Sequence, residues 1–167
     1  MDNNKKSNCG NLPSKIKIGK KSADLIIEEG LTCLMNYFLF RDIYFLGKKV
    51  NTRRPYTQKQ TYEHILKLDD PKASVETRQY RARIAPQIVP LLDNYENGKC
   101  KKCLKVWKKF DEERASYRYI CYCKDNNLLM VFAEQTETLL MITAYRVTDK
   151  QGKKQIDEYN KSSHKIK

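Results

Sequence analysis

The sequence predicts an α+β protein, with N-terminal helices packed on a C-terminal antiparallel sheet of about four strands. Three observations carry that expectation. Ile27, Leu31, Leu34 and Phe38 recur at steps of four, three and four, the spacing of one helix face. After the turn signal Asn97-Gly98 the pattern changes to short alternating or apolar runs. Finally, LLMVFAEQTETLLMITAYRV at 128–147 sets two apolar runs, Leu128–Ala133 and Leu139–Val147, on either side of the polar break Glu134–Thr138. That is the pattern of a hairpin in a largely buried sheet.

Taken in order, residues 1–20 are rich in Lys, Asn, Ser and Gly and read as a flexible basic arm. Residues 21–56 form an N-terminal helix and a basic connection. Ser22 caps the helix, and Asp24, Glu28 and Glu29 suit its positive end. The periodicity carries it to about Leu46, with Gly47 as C-cap. The connection GKKVNTRRPY follows and ends in a proline turn.

The core, 57–160, opens on a second helix with Thr57 as cap and Tyr62, Ile65 and Leu66 inside it. Asp69-Asp70-Pro71 ends it, because the residue before proline avoids the helical region. Ser74 or Thr77 starts a third helix through Arg78, Arg81 and Ile84. Pro86 and Pro90 bound a short apolar segment, Gln87–Leu92. Strands are expected at Leu104–Phe110, at Tyr117–Lys124 and at the two apolar runs. Gln151-Gly152 turns the chain, and a last short element holds Ile156 and Tyr159. Residues 161–167 are a basic tail.

The chain has 167 residues, with 33 Lys and Arg against 20 Asp and Glu, a net charge of +13. Residues 1–60 carry 12 basic against 5 acidic groups, and residues 99–167 carry 16 against 9. The stretch between them holds 5 against 6. Two basic ends around a near-neutral middle favour a polyanionic partner. There is no GxGxxG or GK[ST] loop, so neither a dinucleotide nor a nucleoside triphosphate site has support. Residues 1–24 lack an apolar h-region, and Leu31–Leu46 contains Asn36, Arg41 and Asp42. No signal peptide or membrane span is expected, and the compartment expected is the cytoplasm.

Six cysteines then read as thiols or metal ligands rather than as a disulfide framework. Cys100-x2-Cys103 followed by Cys121-x-Cys123 approaches a four-cysteine zinc site. The second pair fits less well, since both thiols leave one face of a strand. The expectation is therefore no cofactor, with zinc on Cys100, Cys103, Cys121 and Cys123 as the one metal reading.

His64 sits in Glu63-His64-Ile65-Leu66-Lys67, on the second helix. An imidazole both gives and takes a proton near neutrality. RNA cleavage by the 2′-hydroxyl needs that traffic, together with cations for the charge that develops on phosphorus. Lys67 and Arg146 are candidates for that role. Arg78 and Arg81, three apart, share a helix face and suit one phosphate, or pair with Asp69, Asp70 or Glu76. Thr143 and Tyr145 share one face of the last strand, with Arg146 on the other. Tyr56, Tyr117, Tyr119, Tyr122 and Tyr145 among lysines suit base stacking. His164, in the tail, has no expected role.

A helix-borne histidine in Glu63-His64-Ile65-Leu66, an arginine-bearing helix, the proline-flanked Ile84–Leu92 segment and strands closing on Thr143-Ala144-Tyr145 resemble, in that order, the barnase–EndoU–colicin–RelE (BECR) superfamily of ribonuclease toxins, in its phage and polymorphic-toxin branches. The resemblance covers residues 57–160. It implies a metal-independent endoribonuclease acting on tRNA or mRNA, and a cognate antitoxin or immunity protein as a further partner. Carried over, His64 is the acid–base residue, Arg78 or Arg81 a phosphate ligand, and Thr143 and Tyr145 the final-strand pair that positions the phosphate. Two other readings fit the same residues. One is a non-catalytic nucleic-acid-binding protein, stabilised by zinc. The other is a protein-binding effector or phage accessory protein that docks its partner on the Leu31–Leu46 helix.

Overall fold

The structure is a computed structural model that describes residues 9–53 and 58–167. Its first helix, α1 (Ala23–Phe40), begins as expected, with the Ser22 hydroxyl accepting from Leu25 N at 3.3 Å. It stops at Phe40, well before Leu46. The next residues instead make a two-residue hairpin between β1 (Tyr44–Phe45) and β2 (Lys48–Asn51). Leu46 and Gly47 both take positive φ, 54° and 70°, as the favoured tight hairpin turn requires. Gly47 is thus a turn residue and not a helix cap. The Glu96 carboxylate accepts from both turn amides, at 2.6 and 3.1 Å.

Three shorter helices follow: α2 (Lys59–Ile65), α3 (Val75–Ala82) and α4 (Ala85–Glu96). Thr57, expected to cap α2, lies outside the described residues, as does Tyr56. Ser74 caps α3, accepting from Thr77 N at 3.1 Å. Pro86 and Pro90 do not bound α4 but lie within it. Proline lacks the amide that would bond the carbonyl four residues back. For Pro90 that carbonyl belongs to Pro86, and the Tyr37 hydroxyl of α1 donates to it at 3.4 Å. Gly30 lets α1 approach α3: a Cβ there would lie 2.6 Å from the Ala82 carbonyl oxygen.

The sheet departs from the expected four antiparallel strands. The meander itself is present, as β3 (Leu104–Asp111), β4 (Ser116–Cys123), β5 (Leu128–Glu134) and β6 (Thr138–Arg146). To it are added β1 and β2 beyond β6 and β7 (Lys165–Ile166) beyond β3, giving a mixed sheet of seven strands in the order β1-β2-β6-β5-β4-β3-β7. β2 runs parallel to β6, the long connection through α2–α4 and β3–β5 allowing a parallel pair. The three added strands are two to four residues long, too short to show a period of two. The tail around His164 therefore supplies an edge strand, and Lys108 N donates to the His164 carbonyl at 3.0 Å.

Helices also cover both faces rather than one. The main core lies between α1–α4 and one face of the sheet, where Phe45 meets Tyr95 and Phe132 with ring centroids 5.2 and 5.1 Å apart. On the other face Trp107, Tyr122, Leu129 and Val147 form a smaller cluster. It is closed by α5 (Asp149–Lys161) through Ile156 and Tyr159. Gly152, read as a turn, is in the first half of α5, where any Cβ would collide with the Tyr122 hydroxyl. Thr148 and Gln151 form a full capping box at its start.

The segment from Cys9 to Ile16 runs along α4. Ile16 and Arg83 exchange bonds, Ile16 N to the Arg83 carbonyl at 3.1 Å and Arg83 Nε to the Ile16 carbonyl at 2.7 Å. Gln87 and Asn94 donate to the carbonyls of Pro13 and Cys9, each at 2.8 Å.

Candidate functional site

β2 accompanies β6 only as far as the pair Asn51–Leu140. Beyond that point the edge of β6 is taken over by the last turn of α2. The two meet at Thr143, whose Oγ1 donates to the Ile65 carbonyl at 2.9 Å in a buried contact. A bulge makes this possible. Val131 pairs with Thr143 and the next residue, Phe132, pairs with Met141, so Ile142 is an extra residue on β6. A bulge bends a strand and re-aims its side chains. It also breaks the simple parity expected along β6: Leu139 and Met141 fill the core, while Leu140 and Ile142 stay half-buried.

α2 ends in a Schellman turn. Leu68 N donates to the Glu63 carbonyl at 2.8 Å and Lys67 N to that of His64 at 3.1 Å. Lys67 occupies the left-handed position, at φ 57°, that glycine usually takes. The turn reverses the chain and brings Asp69 back beside His64. Asp69 Oδ2 lies 2.9 Å from His64 Nδ1. With Nδ1 so engaged, Nε2 is the nitrogen left for a ligand.

His64 opens onto a cleft of about 300 Å³ lined by Arg53, Gln60, Thr61, Ile65, Asp69, Met141 and Ile142. Arg53 lies just past the end of β2 and is exposed. Thr61 is 7% exposed, and its Oγ1 has no hydrogen-bond partner among the described residues. A buried hydroxyl without a partner is uncommon and calls for an explanation, such as a ligand it is placed to meet. The cleft thus offers an imidazole held by a carboxylate and a guanidinium, with the unpaired Thr61 hydroxyl buried in its wall.

The other expected residues do not line this cleft and are engaged otherwise. Arg81 donates to the Lys67 carbonyl at 2.6 Å and to Asp70 Oδ2 at 3.2 Å, and Arg78 donates to the Asp70 carbonyl at 3.2 Å. Both guanidiniums hold the turn that carries Asp69. Arg81 also lies 5.3 Å from the centroid of the Tyr145 ring. Burial raises the Tyr145 phenol above its ordinary range, against the Arg81 charge that lowers it. Arg146 stacks on Tyr80 of α3 at 4.1 Å, and its Nε is buried without a partner among the described residues. Thr143 stands behind the cleft wall. The tyrosines expected to stack on bases meet the chain's own cations: Lys108 lies 4.3 Å from the Tyr117 ring and 5.3 Å from that of Tyr119.

Arg53, Thr61 and Asp69 join His64 in one site that no local pattern announces: in the sequence Asp69 reads as a helix stop and Arg53 as part of a connection. Only the His64-to-Asp69 spacing across a helix end carried a signal of the pairing.

The expected zinc set divides. Cys121 is in the main core, and burial pushes its thiol well above the ordinary range. Cys103 and Cys123 come together with Cys9 instead, with the three sulfurs within 4.8 Å of one another.

Among the described residues no helix is long and apolar enough to cross a membrane. Comparison of the chain with protein-family models, with curated proteins and with solved structures finds no match.

Proposed function

We propose that the cleft between α2 and β6 binds an RNA phosphodiester and that the protein is an endoribonuclease. The observation that carries this reading is the convergence of the His64–Asp69 pair and the Arg53 guanidinium on one cleft. In the reaction the ribose 2′-oxygen bonds to phosphorus and the bond from phosphorus to the 5′-oxygen breaks. The products are a 2′,3′-cyclic phosphate and a 5′-hydroxyl. The proton lost by the 2′-oxygen must leave and one must reach the 5′-oxygen, and His64 Nε2 handles one of these transfers. Asp69 fixes the ring and its tautomer. Arg53 receives the phosphate oxygens, where charge develops.

Thr143 acts at one remove, tying the last turn of α2 to β6. Arg78, Arg81 and Tyr145 hold the 67–70 turn in place, which revises the direct phosphate contacts expected of them. Lys67, Arg146 and the surplus of basic groups on the rest of the chain supply long-range attraction for the polyanion. The donor set favours chemistry without a metal, since Asp69 is the one carboxylate among the described residues that line the cleft.

The test is incubation of total RNA with the purified protein in EDTA and in Mg²⁺. Fragments ending in 2′,3′-cyclic phosphate in both buffers are expected. RNA left intact in both, with salt-dependent binding retained, establishes the non-catalytic RNA-binding reading instead.

A further inference from the structure

The buried sulfur cluster at the far end of the sheet lies outside the cleft. Cys9 comes from the N-terminal segment, Cys103 from the turn before β3 and Cys123 from the end of β4. All three are buried, and they are mutually within 4.8 Å. Four sulfurs bound at about 2.3 Å to one tetrahedral ion stand roughly 3.8 Å apart, so this spacing is of the right order. Cys9 and Cys103 are paired as a disulfide. Cys123 Sγ adds a third sulfur 3.2 Å from Cys9 Sγ, which a simple disulfide does not need.

Two further features favour an ion. Cys123 is surrounded by donors. Its sulfur accepts from the Asn126 side chain at 3.6 Å, and the backbone amides of Asp125 and Asn126 bond it as well. Such N–H donors to sulfur are the outer-shell contacts that orient a metal-bound cysteine. The fourth sulfur is near but outside that group: Cys100 is wholly buried and its thiol donates to the Cys9 carbonyl at 2.9 Å, a contact it gives up to join the site. Cys100-x2-Cys103 is itself a knuckle, with Cys103 N and Leu104 N both turned onto the Cys100 carbonyl at 3.2 and 3.0 Å. The Lys15 charge acts on Cys123, and Lys101, Lys102 and Lys124 flank the ligands in sequence, against the Asp125 carboxylate 3.8 Å from Cys9 Sγ. These cations offset the double negative charge of a tetrathiolate centre.

We propose that Cys9, Cys100, Cys103 and Cys123 form a structural zinc site that clips the N-terminal segment to the sheet. Once a thiol reductant has opened the Cys9–Cys103 bond and taken up the oxidation as its own disulfide, the ion replaces the four thiol protons and forms four sulfur–metal bonds with no further change of oxidation state. The metal-bound form and the Cys9–Cys103 disulfide are exclusive fates of the same sulfurs. The set differs from the one the spacing suggested: Cys9 takes the place of Cys121. Because the proposal does not rest on the ribonuclease reading, the two stand or fall separately.

The protein should be purified under thiol-reducing conditions, its metal content measured, and the zinc replaced by Co²⁺. About one zinc per chain is expected, together with the visible spectrum of a tetrahedral tetrathiolate Co²⁺ site. Cys9→Ser and Cys123→Ser should lose the metal, whereas Cys121→Ser and Cys33→Ser should keep it. If Cys9→Ser fails to fold, the Co²⁺ spectrum of the wild type still counts the thiolates. Metal-free protein carrying the Cys9–Cys103 disulfide overturns the proposal. So does a site that survives Cys9→Ser but is lost in Cys121→Ser.

Discussion

The pairing of His64 with Asp69 depends on one residue that is poorly suited to its place. Lys67 takes the left-handed conformation, which costs a side-chain-bearing residue about 1 kcal/mol. That cost is offset by two Schellman hydrogen bonds and by the Arg81 contact to the Lys67 carbonyl. The same logic makes Thr143 more than a strand residue. Thr143→Val keeps the shape but removes the donor to the Ile65 carbonyl. It should lower stability by about 1–2 kcal/mol in denaturant titrations, and cleavage should fall because the His64 turn loosens. Tyr145→Phe should retain most of the activity, since the ring under Arg81 is preserved. Loss of activity comparable to that of a His64 substitution would make the phenol a direct participant. His64 was legible from its residue type and its helix. Its partners were not, because a cleft is assembled by contacts between β2, α2 and β6 that no local pattern records.

Among the elements, those with a long periodic signal were readable and the short ones were not. Ser22 and Ser74 announced α1 and α3 through capping chemistry, and the four long strands showed their apolar runs. The β1–β2 hairpin was hidden because Phe45 and Leu46 continue an apolar stretch that looks helical. Pro90 masked α4, since nothing in the sequence tells that Tyr37 would satisfy the carbonyl the proline frees. Two predictions belong here. Gly30→Ala drives a methyl into the Ala82 carbonyl between α1 and α3 and should cost about 1–3 kcal/mol, measured by chemical denaturation. Glu134, at the end of β5, binds Lys108 of β3 at 2.8 Å and the Tyr119 hydroxyl of β4 at 2.9 Å. The Lys108 hydrogen bond holds its carboxyl below the ordinary range. A depressed carboxylate contributes stability above its unfolded pKa and loses it as pH falls through the folded one. Stability should therefore decline below about pH 4.5, where unfolded glutamate begins to bind protons. Glu134→Gln should flatten that acid limb in melts recorded across pH, and an unchanged limb would place the coupling elsewhere.

At the scale of the molecule, the sheet has two jobs that lie at different places along it. The β6 side, where β2 gives way to α2, carries the cleft. The other end, at the start of β3 and the β4–β5 connection, gathers the buried thiols. α+β was readable from the order of patterns, but the mixed seven-stranded sheet was not, because edge strands of two to four residues arise from pairing and not from propensity. The net charge of +13 predicts RNA binding that weakens steeply as salt rises, with a log–log slope proportional to the phosphates neutralised. Binding measured from about 50 to 200 mM salt checks this, and a flat response would remove RNA as the polyanion. His64 is the residue on which the proposed cleavage most depends. Its direct test is the single-turnover rate of cleavage of an RNA oligonucleotide, in EDTA, by the wild type and by His64→Ala. The circular dichroism of the two proteins should match. A loss of roughly 10²- to 10⁴-fold, with cyclic-phosphate ends from the wild type, is expected; a His64→Ala protein that cuts as fast as the wild type contradicts it.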